Sequence, residues 1–330
     1  MDAVGAMRQG PLPLEDALVL EPVAAGAGMR ALFAAFDTMV ELTAFGKPAA
    51  MEAALLEARD ACRAYEQLFS RTLPGSDIGR LNRAGGQAVR IDPRTADLLL
   101  AALRYCKASG GAFDITVGPL VGLWDLKAGR IPGRDELGAA AAHVGWEGLA
   151  VWAQCGGSWF ARLSDPAAQV DLGGIAKGWI ADALGRQLSG AGATGALVNL
   201  GGNVLVRGAK PSGAPWRVGI REPRCSADSP GTLAVVDLAC GSMVTSGIYE
   251  RCFEQGGVRY HHILDPSTGW PVDTPWAGVS VVAERSIDAE GFSTTLLALG
   301  LERERALAAA HPEILQAYFV DWEGGITPLR

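Results

Sequence analysis

The chain has 330 residues, of which 49% are hydrophobic and 20% are charged, and its formal net charge is −7. This length and composition allow a sizeable core in one domain, or in two at most. The net negative charge argues against a nucleic-acid-binding or an anionic-membrane-binding surface, so we expect no nucleic-acid partner, although a local basic pocket is still compatible with it.

The cysteines and the N-terminus bear on the compartment. None of the six cysteines has the C-x-x-C spacing of a zinc or redox motif, although their even number leaves disulfides open. Buried free cysteines in a chain this long are typical of a reducing compartment. The N-terminus lacks the basic and apolar regions of a secretory signal, and no stretch offers about 18 uninterrupted apolar residues. We therefore expect a cytoplasmic protein with no integral membrane segment.

The first half of the chain is predicted to be mainly helical. After an irregular lead-in over residues 1–28, a β-branched and aromatic stretch predicts a strand over 36–45. A sustained apolar face and strong helix formers predict a helix over 49–70. Ser76 is placed to cap a short helix with the sequence DIGRLN, and a further helix is predicted over 92–111.

The second half is richer in strands. GALVNLGGNVLVRG (195–208) predicts a hairpin that turns at Gly201-Gly202, and the stretches WRVGIREP, TLAVVDLACGSMVTSG and AGVSVVAE predict further strands. Residues 286–310 follow a helical pattern, and 316–325 predict a closing hairpin strand. Helices and strands mix without a βαβ rhythm, which favours an α+β fold with a mixed, largely antiparallel sheet and packed helices. We place it in a single domain over 29–330.

A match to the dinucleotide-binding pattern G-x-G-x-x-G occurs in GAGATG at residues 190–195. That pattern needs a strand before it and a helix after it, whereas here a helix precedes it and a strand follows. We interpret it as a flexible loop between a helix and a strand.

The stretch DLGGIAKGWIADAL (171–184) is a stronger candidate for a binding site. Its glycines let the backbone come close to a ligand, and the following helix offers free N–H groups and the positive end of its dipole. Lys177 adds a full positive charge for a phosphate, and Asp171 can accept hydrogen bonds from a ribose or a base. The residues alone leave open a glycine-rich turn with Lys177 on a solvated face.

Tandem histidines, His261 and His262, precede an Ile-Leu-Asp-Pro sequence within residues 245–271. A histidine beside an acid can serve as a general base or as a ligand. The alternative is a histidine satisfied within a strand, followed by DPSTG as an ordinary turn.

An oxygen-rich set occurs in IDAEGFSTT (287–295). Glu290 and Thr294 lie on one helical face, and a carboxylate, a hydroxyl and a backbone carbonyl together suit Mg²⁺ or Ca²⁺. In isolation, the motif is better explained as a helix N-terminus where the dipole favours acids and Ser293 or Thr294 bonds locally.

Taken together and in this order, these motifs resemble the FAD:protein FMN transferase family, also called the ApbE family. A weaker match runs through FSRTLPGSDIGRLN (69–82), and the resemblance covers roughly residues 30–330. The six matching stretches are FDITVGPLVGLW (113–124), DLGGIAKGWIADAL (171–184), LVNLGGNV (197–204), TSGIYER (245–251), YHHILDPSTGWP (260–271) and AEGFSTTLLALG (289–300).

The resemblance implies an ApbE-like, T-fold-related domain and an activity. Members of this family bind FAD and a divalent metal, usually Mg²⁺, and transfer FMN to a threonine or serine hydroxyl of a target flavoprotein, releasing AMP. Some members hydrolyse FAD to FMN and AMP instead. Many relatives are exported or membrane-anchored, which this chain shows no signal for.

The resemblance also implies roles for individual residues. His262 would be the base for the incoming hydroxyl, and Lys177 would balance the pyrophosphate charge. Contacts with FAD are implied for Phe36, Ser70, Ala112, Phe113, Asp114, Asp171, Lys177, Ile263 and Leu264. Metal ligation is implied for the Gly174 carbonyl and for Glu290, Ser293 and Thr294.

The sequence departs from the family pattern at two positions. Glu290 stands where members carry the metal-binding aspartate, and its extra methylene must fold back or shift the ion, unless Asp288 compensates. Asp37 stands where members commonly carry glycine beside the flavin. These departures motivate two alternatives to a transferase: a FAD pyrophosphatase on the same site, and a FAD-binding protein with weakened catalysis.

Overall fold

The computed structural model describes residues 18–23, 27–225, 231–299 and 301–329. Its strands, in chain order, are β1 (Leu18–Pro22), β2 (Gly28–Ala35), β3 (Thr38–Phe45), β4 (Val89–Ile91), β5 (Leu149–Ala153), β6 (Trp159–Leu163), β7 (Gly195–Leu200), β8 (Asn203–Gly208), β9 (Trp216–Arg221), β10 (Thr232–Leu238), β11 (Gly241–Gly247), β12 (Cys252–Gln255), β13 (Val258–His261), β14 (Gly278–Ala283), β15 (Gln316–Val320) and β16 (Ile326–Leu329). Its helices are α1 (Pro48–Phe69), α2 (Asp77–Asn82), α3 (Pro93–Ala108), α4 (Gly118–Val121), α5 (Arg134–Ala141), α6 (Ala176–Gly190), α7 (Ser286–Ala298) and α8 (Leu301–Ala310).

A nine-stranded sheet in the order β1-β2-β3-β7-β8-β11-β14-β15-β16 forms the centre of the fold. Its neighbouring strands pair antiparallel throughout. Because successive side chains of a strand face opposite sides, Val281 of β14 lies in the main core with the helices, whereas Val282 packs in a second cluster with Trp216 of β9. The sheet therefore carries α1, α6 and α7 on one face and the β9–β10 hairpin on the other. The predicted α+β class is confirmed.

The predicted long helices form within a few residues of their expected ends, and local capping explains where they begin. Helix α3 starts after Asp92, whose carboxylate accepts the Arg94 N–H at 2.8 Å. Helix α2 starts after Ser76, whose hydroxyl accepts the Gly79 N–H at 2.8 Å, as its position predicts. Helix α6 ends at Gly190 and β7 begins at Gly195, so the G-x-G-x-x-G match is a helix-to-strand loop.

The structure corrects three boundaries. Residues 18–22, predicted to be irregular, form β1 and pair along β2, where an ion pair between Arg30 and Glu21 (3.0 Å) joins the two strands. Of the rest of that lead-in, residues 1–17 and 24–26 lie outside the described residues. The strand predicted over 36–45 begins only at Thr38. The helical pattern over 286–310 divides into α7 and α8 at Leu299, whose backbone is extended.

The late start of β3 comes from a two-residue turn. Phe36 and Asp37 join β2 to β3 with φ values of 56° and 55°, the left-handed conformation that hairpin turns of this length require. The Phe36 N–H donates to Glu66 Oε1 of α1 at 2.6 Å, which holds the turn against the helix layer. Glycine adopts this backbone freely and aspartate tolerates it better than most residues, so Asp37 replaces glycine at low conformational cost.

Two further expectations concern the whole chain. The six cysteines are free thiols in the structure, so the even count does not correspond to disulfide pairs. Among the described residues, no helix combines the length and the apolar character needed to cross a bilayer.

Candidate active site

The DLGG segment forms a tight loop that leads into α6. The Asp171 N–H donates to the Ile115 carbonyl at 2.7 Å, which fixes the loop to the segment after Phe113. Asp171 Oδ1 accepts the Gly173 N–H at 2.7 Å, so the carboxylate folds the loop back on itself. Asp171 Oδ2 lies 2.8 Å from Arg71 Nε. The predicted Asp171 is thus a structural centre of the loop, and its contact with FAD stays a prediction.

Two glycines of this segment are required by close approach. A Cβ on Gly174 would lie 3.2 Å from the Phe113 ring and 4.0 Å from Thr294 Oγ1, so the loop backbone lies against both. A Cβ on Gly178 would lie 2.6 Å from the Ser286 carbonyl oxygen, which shows that α6 and α7 meet backbone to backbone there. Gly174 therefore lies close to Phe113 and Thr294, whereas Gly178 is needed for helix packing.

Lys177 and Glu290 meet at the start of α6. Lys177 Nζ lies 3.2 Å from Glu290 Oε1 and donates to the Gly173 carbonyl at 3.3 Å. The second carboxylate oxygen, Glu290 Oε2, accepts the Gly178 N–H in the first turn of α6. The Glu290 side chain is only 5% exposed, against 29% for Lys177. The helix N-terminus and the ammonium therefore hold a carboxylate, that of Glu290, and phosphate binding at this position stays a prediction.

Hydroxyl groups gather on the neighbouring turn of α7. Ser246 Oγ of β11 lies 2.9 Å from Ser293 Oγ and 3.0 Å from Thr294 Oγ1. The Ser293 hydroxyl also donates to the Glu290 carbonyl at 3.1 Å. Gly174 thus lies against Thr294, and Glu290 and Ser293 share a turn of α7, so the four residues are neighbours in the fold; their ligation of a metal stays a prediction.

This donor set is chemically suited to a hard divalent cation. It combines a carboxylate, hydroxyls and a backbone carbonyl, which are the oxygen ligands that Mg²⁺ accepts. Within the described ranges, no group of three or more His, Cys, Asp or Glu side chains forms a metal site, so a cation here would rely on the hydroxyls of Ser293 and Thr294 and on Gly174.

Asp288 cannot take over from Glu290, contrary to the sequence expectation. Asp288 Oδ1 accepts the Tyr105 hydroxyl at 2.6 Å, and the Arg285 guanidinium donates to both of its oxygens at 2.6 and 2.7 Å. This carboxylate is buried, and it already accepts hydrogen bonds from a guanidinium and from a phenol hydroxyl. It ties α3 to α7 and is not available as a ligand.

His262 is half-buried and is oriented by backbone contacts. The backbone N–H of His262 donates to the Arg251 carbonyl at 3.2 Å, and the ring Nδ1 lies 3.3 Å from the same oxygen. A proton on Nδ1 satisfies that contact and leaves the lone pair on Nε2. Burial, together with the charges of Arg251 and Lys177, lowers the pKa of His262 to about 4. The ring is therefore neutral at pH 7 and can accept a proton, and Lys177 is close enough to influence it.

The other tandem histidine has a structural role. His261 is buried, with Nε2 3.3 Å from the Val272 carbonyl and Nδ1 accepting the Ile263 N–H at 3.4 Å. Burial lowers its pKa to about 4 as well. The structural alternative from the sequence therefore applies to His261, and the role of His262 as a base stays a prediction.

The predicted flavin segment is folded by Asp114. Its Oδ1 accepts the Thr116 N–H and hydroxyl, each at 2.7 Å, and its Oδ2 accepts the Trp146 N–H at 3.1 Å. Burial raises the pKa of this carboxyl group. Phe113 is buried against Gly174, and Ala112 packs on the main core beside it.

The remaining predicted contacts lie in other surroundings. Ser70 ends α1, and its hydroxyl accepts the Thr72 and Leu73 N–H groups, each at 3.2 Å. Phe36 packs on the main core at the β2–β3 turn. Ile263 and Leu264 are both buried but belong to different hydrophobic clusters. Their contacts with FAD stay predictions.

Sequence reasoning missed two residues that hold the site together. Ser246 lies within the TSGIYER stretch and joins the two hydroxyls of α7, and Arg71 lies directly after Ser70 and pairs with Asp171. Both lie inside stretches that match the family, but only the folded structure shows which side chains they meet.

The fold and the site define an α+β protein with a glycine-rich loop before α6 and an oxygen-rich turn of α7 beside it. The model of the ApbE family matches residues 36–319, and the chain belongs to this family, as the sequence motifs indicate.

Relatives of known name agree with this assignment. The FAD:protein FMN transferase of Treponema pallidum is 37% identical over 282 residues, covering 81% of this chain and 77% of the relative. The FAD:protein FMN transferase of Escherichia coli K12 is 32% identical, and the match covers 79% of this chain and 74% of the relative. A crystal structure of the ApbE protein of Thermotoga maritima has a TM-score of 0.81 at 28% identity, covering 91% of this chain and 96% of the other. The flavin transferase ApbE of Vibrio cholerae has a TM-score of 0.78 at 27% identity, covering 92% and 96%.

Proposed function

We propose that this protein is an FAD:protein FMN transferase that uses a divalent cation, with Mg²⁺ as the expected ion. It would split the pyrophosphate of FAD, transfer FMN to a threonine or serine hydroxyl of an acceptor flavoprotein, and release AMP. The observation that carries the proposal is the pairing of Lys177 with Glu290 at the start of α6, beside the Ser293 and Thr294 hydroxyls of α7. The names of the relatives support the same reaction.

The start of α6 supplies the binding of phosphate. In its first turn the Gly178 N–H donates to the Glu290 carboxylate instead of to a helical carbonyl, and Lys177 adds an ammonium beside it. Together they favour the pyrophosphate oxygens and the extra negative charge that develops when the bond to AMP breaks.

His262 supplies the base. The acceptor hydroxyl oxygen forms a bond to the FMN phosphorus, its proton moves to His262 Nε2, and the bond to the AMP phosphate breaks with its electron pair leaving on AMP. The Arg251 carbonyl holds the Nδ1 proton and so keeps Nε2 free for this step.

The residues that would hold the cation are Glu290, Thr294 and the Gly174 carbonyl, with Ser293 beside them. When bound, the cation neutralises charge on the phosphate oxygens. Ser246 orients the two hydroxyls, and the glycine at position 174 keeps the backbone close to Thr294.

The test is AMP release from FAD by the purified protein with Mg²⁺, with and without an acceptor protein. We expect AMP release that depends on the acceptor, together with a flavin-labelled acceptor band. Lys177→Ala and His262→Ala should both abolish labelling, whereas Lys107→Ala, which removes an exposed lysine of α3, should leave it unchanged. Labelling that survives both site substitutions would contradict the proposal.

A FAD pyrophosphatase is the second candidate, because Glu290 replaces the aspartate expected from the resemblance and alters how a cation and water can be placed. In that reaction water takes the place of the acceptor hydroxyl. FMN and AMP released at the same rate with and without acceptor would favour it. FAD retention without AMP under Mg²⁺, Mn²⁺ or Ca²⁺ would instead indicate a FAD-binding protein.

A further inference from the structure

Both carboxylate oxygens of Glu290 contact groups in the first turn of α6. One lies 3.2 Å from Lys177 Nζ, and the other accepts the Gly178 N–H. Residue Ile175, which precedes the helix, gives it no side-chain cap. The carboxylate of α7 therefore serves as the cap of α6 and as the counter-ion of Lys177.

These contacts are the ones that a phosphate group would use. An N–H of the first helical turn and a lysine ammonium are the usual partners of phosphate oxygens. Two anions on one ammonium repel each other, and the repulsion is strong at a position where Glu290 is 5% exposed. Phosphate binding to Lys177 is therefore opposed as long as Glu290 stays paired with it.

The same carboxylate also borders the oxygen set of α7. Glu290 shares a helical turn with Ser293, whose hydroxyl donates to the Glu290 carbonyl at 3.1 Å. Thr294 lies against Gly174 on the loop that leads to Lys177. A divalent cation held by these oxygens would attract the Glu290 carboxylate more strongly than a single ammonium does.

We propose that Glu290 couples the two ligands of the site: its carboxylate leaves Lys177 for the divalent cation, and Lys177 is then free to bind phosphate. Cation and nucleotide thus bind cooperatively, and Lys177 is neutralised until the cation is bound. The inference rests on the proposed function, because it takes the cation and the phosphate from that reaction.

The length of the side chain is central to this coupling. Glutamate reaches from α7 to both Lys177 and Gly178, and an aspartate is one methylene shorter. An aspartate at position 290 keeps the negative charge and the ligand oxygens while drawing them back from Lys177. Glu290→Asp therefore separates the effect of the ion pair from the effect of charge alone.

The experiment measures the binding of AMP by isothermal titration calorimetry, first after removal of divalent cations with EDTA and then with Mg²⁺. AMP is the probe because it carries a phosphate and cannot be turned over. For the unaltered protein we expect Mg²⁺ to tighten AMP binding by about tenfold, within the usual range of coupling between two sites. By reciprocity, AMP should tighten Mg²⁺ binding by the same factor.

The variants test the role of Glu290. Without cation, Glu290→Asp and Glu290→Gln should both bind AMP about tenfold more tightly than the unaltered protein. In a Lys177→Gln background, Glu290→Asp should have a much smaller effect on AMP binding, because only the contact with the Gly178 N–H is left to change. Glu284→Gln, which removes an exposed acid close to the start of α7, is the charge control and should leave the AMP affinity unchanged.

The outcomes are distinct. Tighter cation-free binding by Glu290→Gln but not by Glu290→Asp would reduce the effect to general charge and overturn the coupling. Equal AMP affinity with and without Mg²⁺ in the unaltered protein would overturn it too. If neither the unaltered protein nor any variant binds AMP, the proposed function itself fails. Circular dichroism checks that each variant is folded, and Glu290→Gln retains an oxygen for the Gly178 N–H.

Discussion

Arg71 and Asp171 form an ion pair that joins the end of α1 to the loop before α6, with 2.8 Å between Arg71 Nε and Asp171 Oδ2. The pair is one-third exposed on the arginine side and 16% exposed on the aspartate side. Asp171 also accepts the Gly173 N–H, so the guanidinium holds the side chain that shapes the loop. The segment around Ser70 is thereby connected to the loop that leads into α6.

Arg71→Gln should therefore weaken FAD binding more than it slows the reaction. We expect KM for FAD to rise about fivefold, in keeping with a partly exposed ion pair worth about 1 kcal/mol, with kcat nearly unchanged. Arg71→Lys should restore part of the loss. The exposed Arg83, which donates to a backbone carbonyl in the same segment, supplies the control variant Arg83→Gln. Equal KM values for Arg71→Gln and the unaltered protein would show that the pair does not support the site.

His262→Gln should lower kcat by about 10²–10⁴-fold, because the base is lost while the volume of the side chain is roughly kept. In the unaltered protein, kcat/KM should fall as pH drops through about 4, where His262 takes up a proton and can no longer accept one. Between pH 6 and 8 this group should cause no change. His143→Gln, at an exposed His–Asp pair elsewhere, should leave both the rate and the pH profile intact. A profile that breaks near pH 6.5 would mean that the charges around His262 do not act as described.

Gly178→Ala should destabilise the protein, since the new methyl group would lie 2.6 Å from the Ser286 carbonyl oxygen and 2.7 Å from Ile287 Cα. Relief requires α6 and α7 to separate, at a cost of about 2 kcal/mol in the free energy of unfolding. Gly190→Ala is the matched control, because a Cβ at that end of α6 meets no atom within 4 Å. It should be neutral or stabilise slightly by helix propensity. Urea unfolding of both variants gives the comparison.

Local signals predicted much of this fold. The cap at Ser76 and the Gly201-Gly202 turn depend on neighbours in sequence, and the structure has both where the sequence places them. Strand β1 was missed because its five residues, LVLEP, carry a weak pattern and are defined by pairing with β2. The left-handed turn at Phe36-Asp37 was missed because neither residue is a glycine.

The sequence motifs name candidate site residues, but not the contacts that these side chains make in the fold. Lys177, Glu290 and Thr294 lie in stretches that the sequence motifs single out. Which group the Glu290 carboxylate meets depends on the crossing of α6 and α7 and on one methylene of side-chain length, and neither is encoded locally. For the same reason, the sequence offered Asp288 as a residue that compensates for Glu290, whereas Arg285 and Tyr105 bind it in the fold.

Glu304→Gln should stabilise the protein at alkaline pH. Glu304 is 2% exposed, and its Oε1 accepts the Trp276 Nε1–H at 3.1 Å. Burial raises the pKa of Glu304 to about 7 from an ordinary value of 4.5. The folded protein therefore holds a proton that the unfolded chain releases, and this carboxyl group lowers stability progressively as pH rises from about 4.5 to about 7.

Glutamine stays neutral at every pH and keeps an oxygen for the Trp276 indole. At pH 8 the free energy of unfolding of Glu304→Gln should exceed that of the unaltered protein by up to about 3 kcal/mol, and the two should converge near pH 4.5. Chemical unfolding at the two pH values tests this, with the exposed Glu323→Gln as the control. A gain of the same size at both pH values would assign the effect to packing around Trp276. The contribution of proton binding must disappear at low pH, where Glu304 is protonated in both the folded and the unfolded protein.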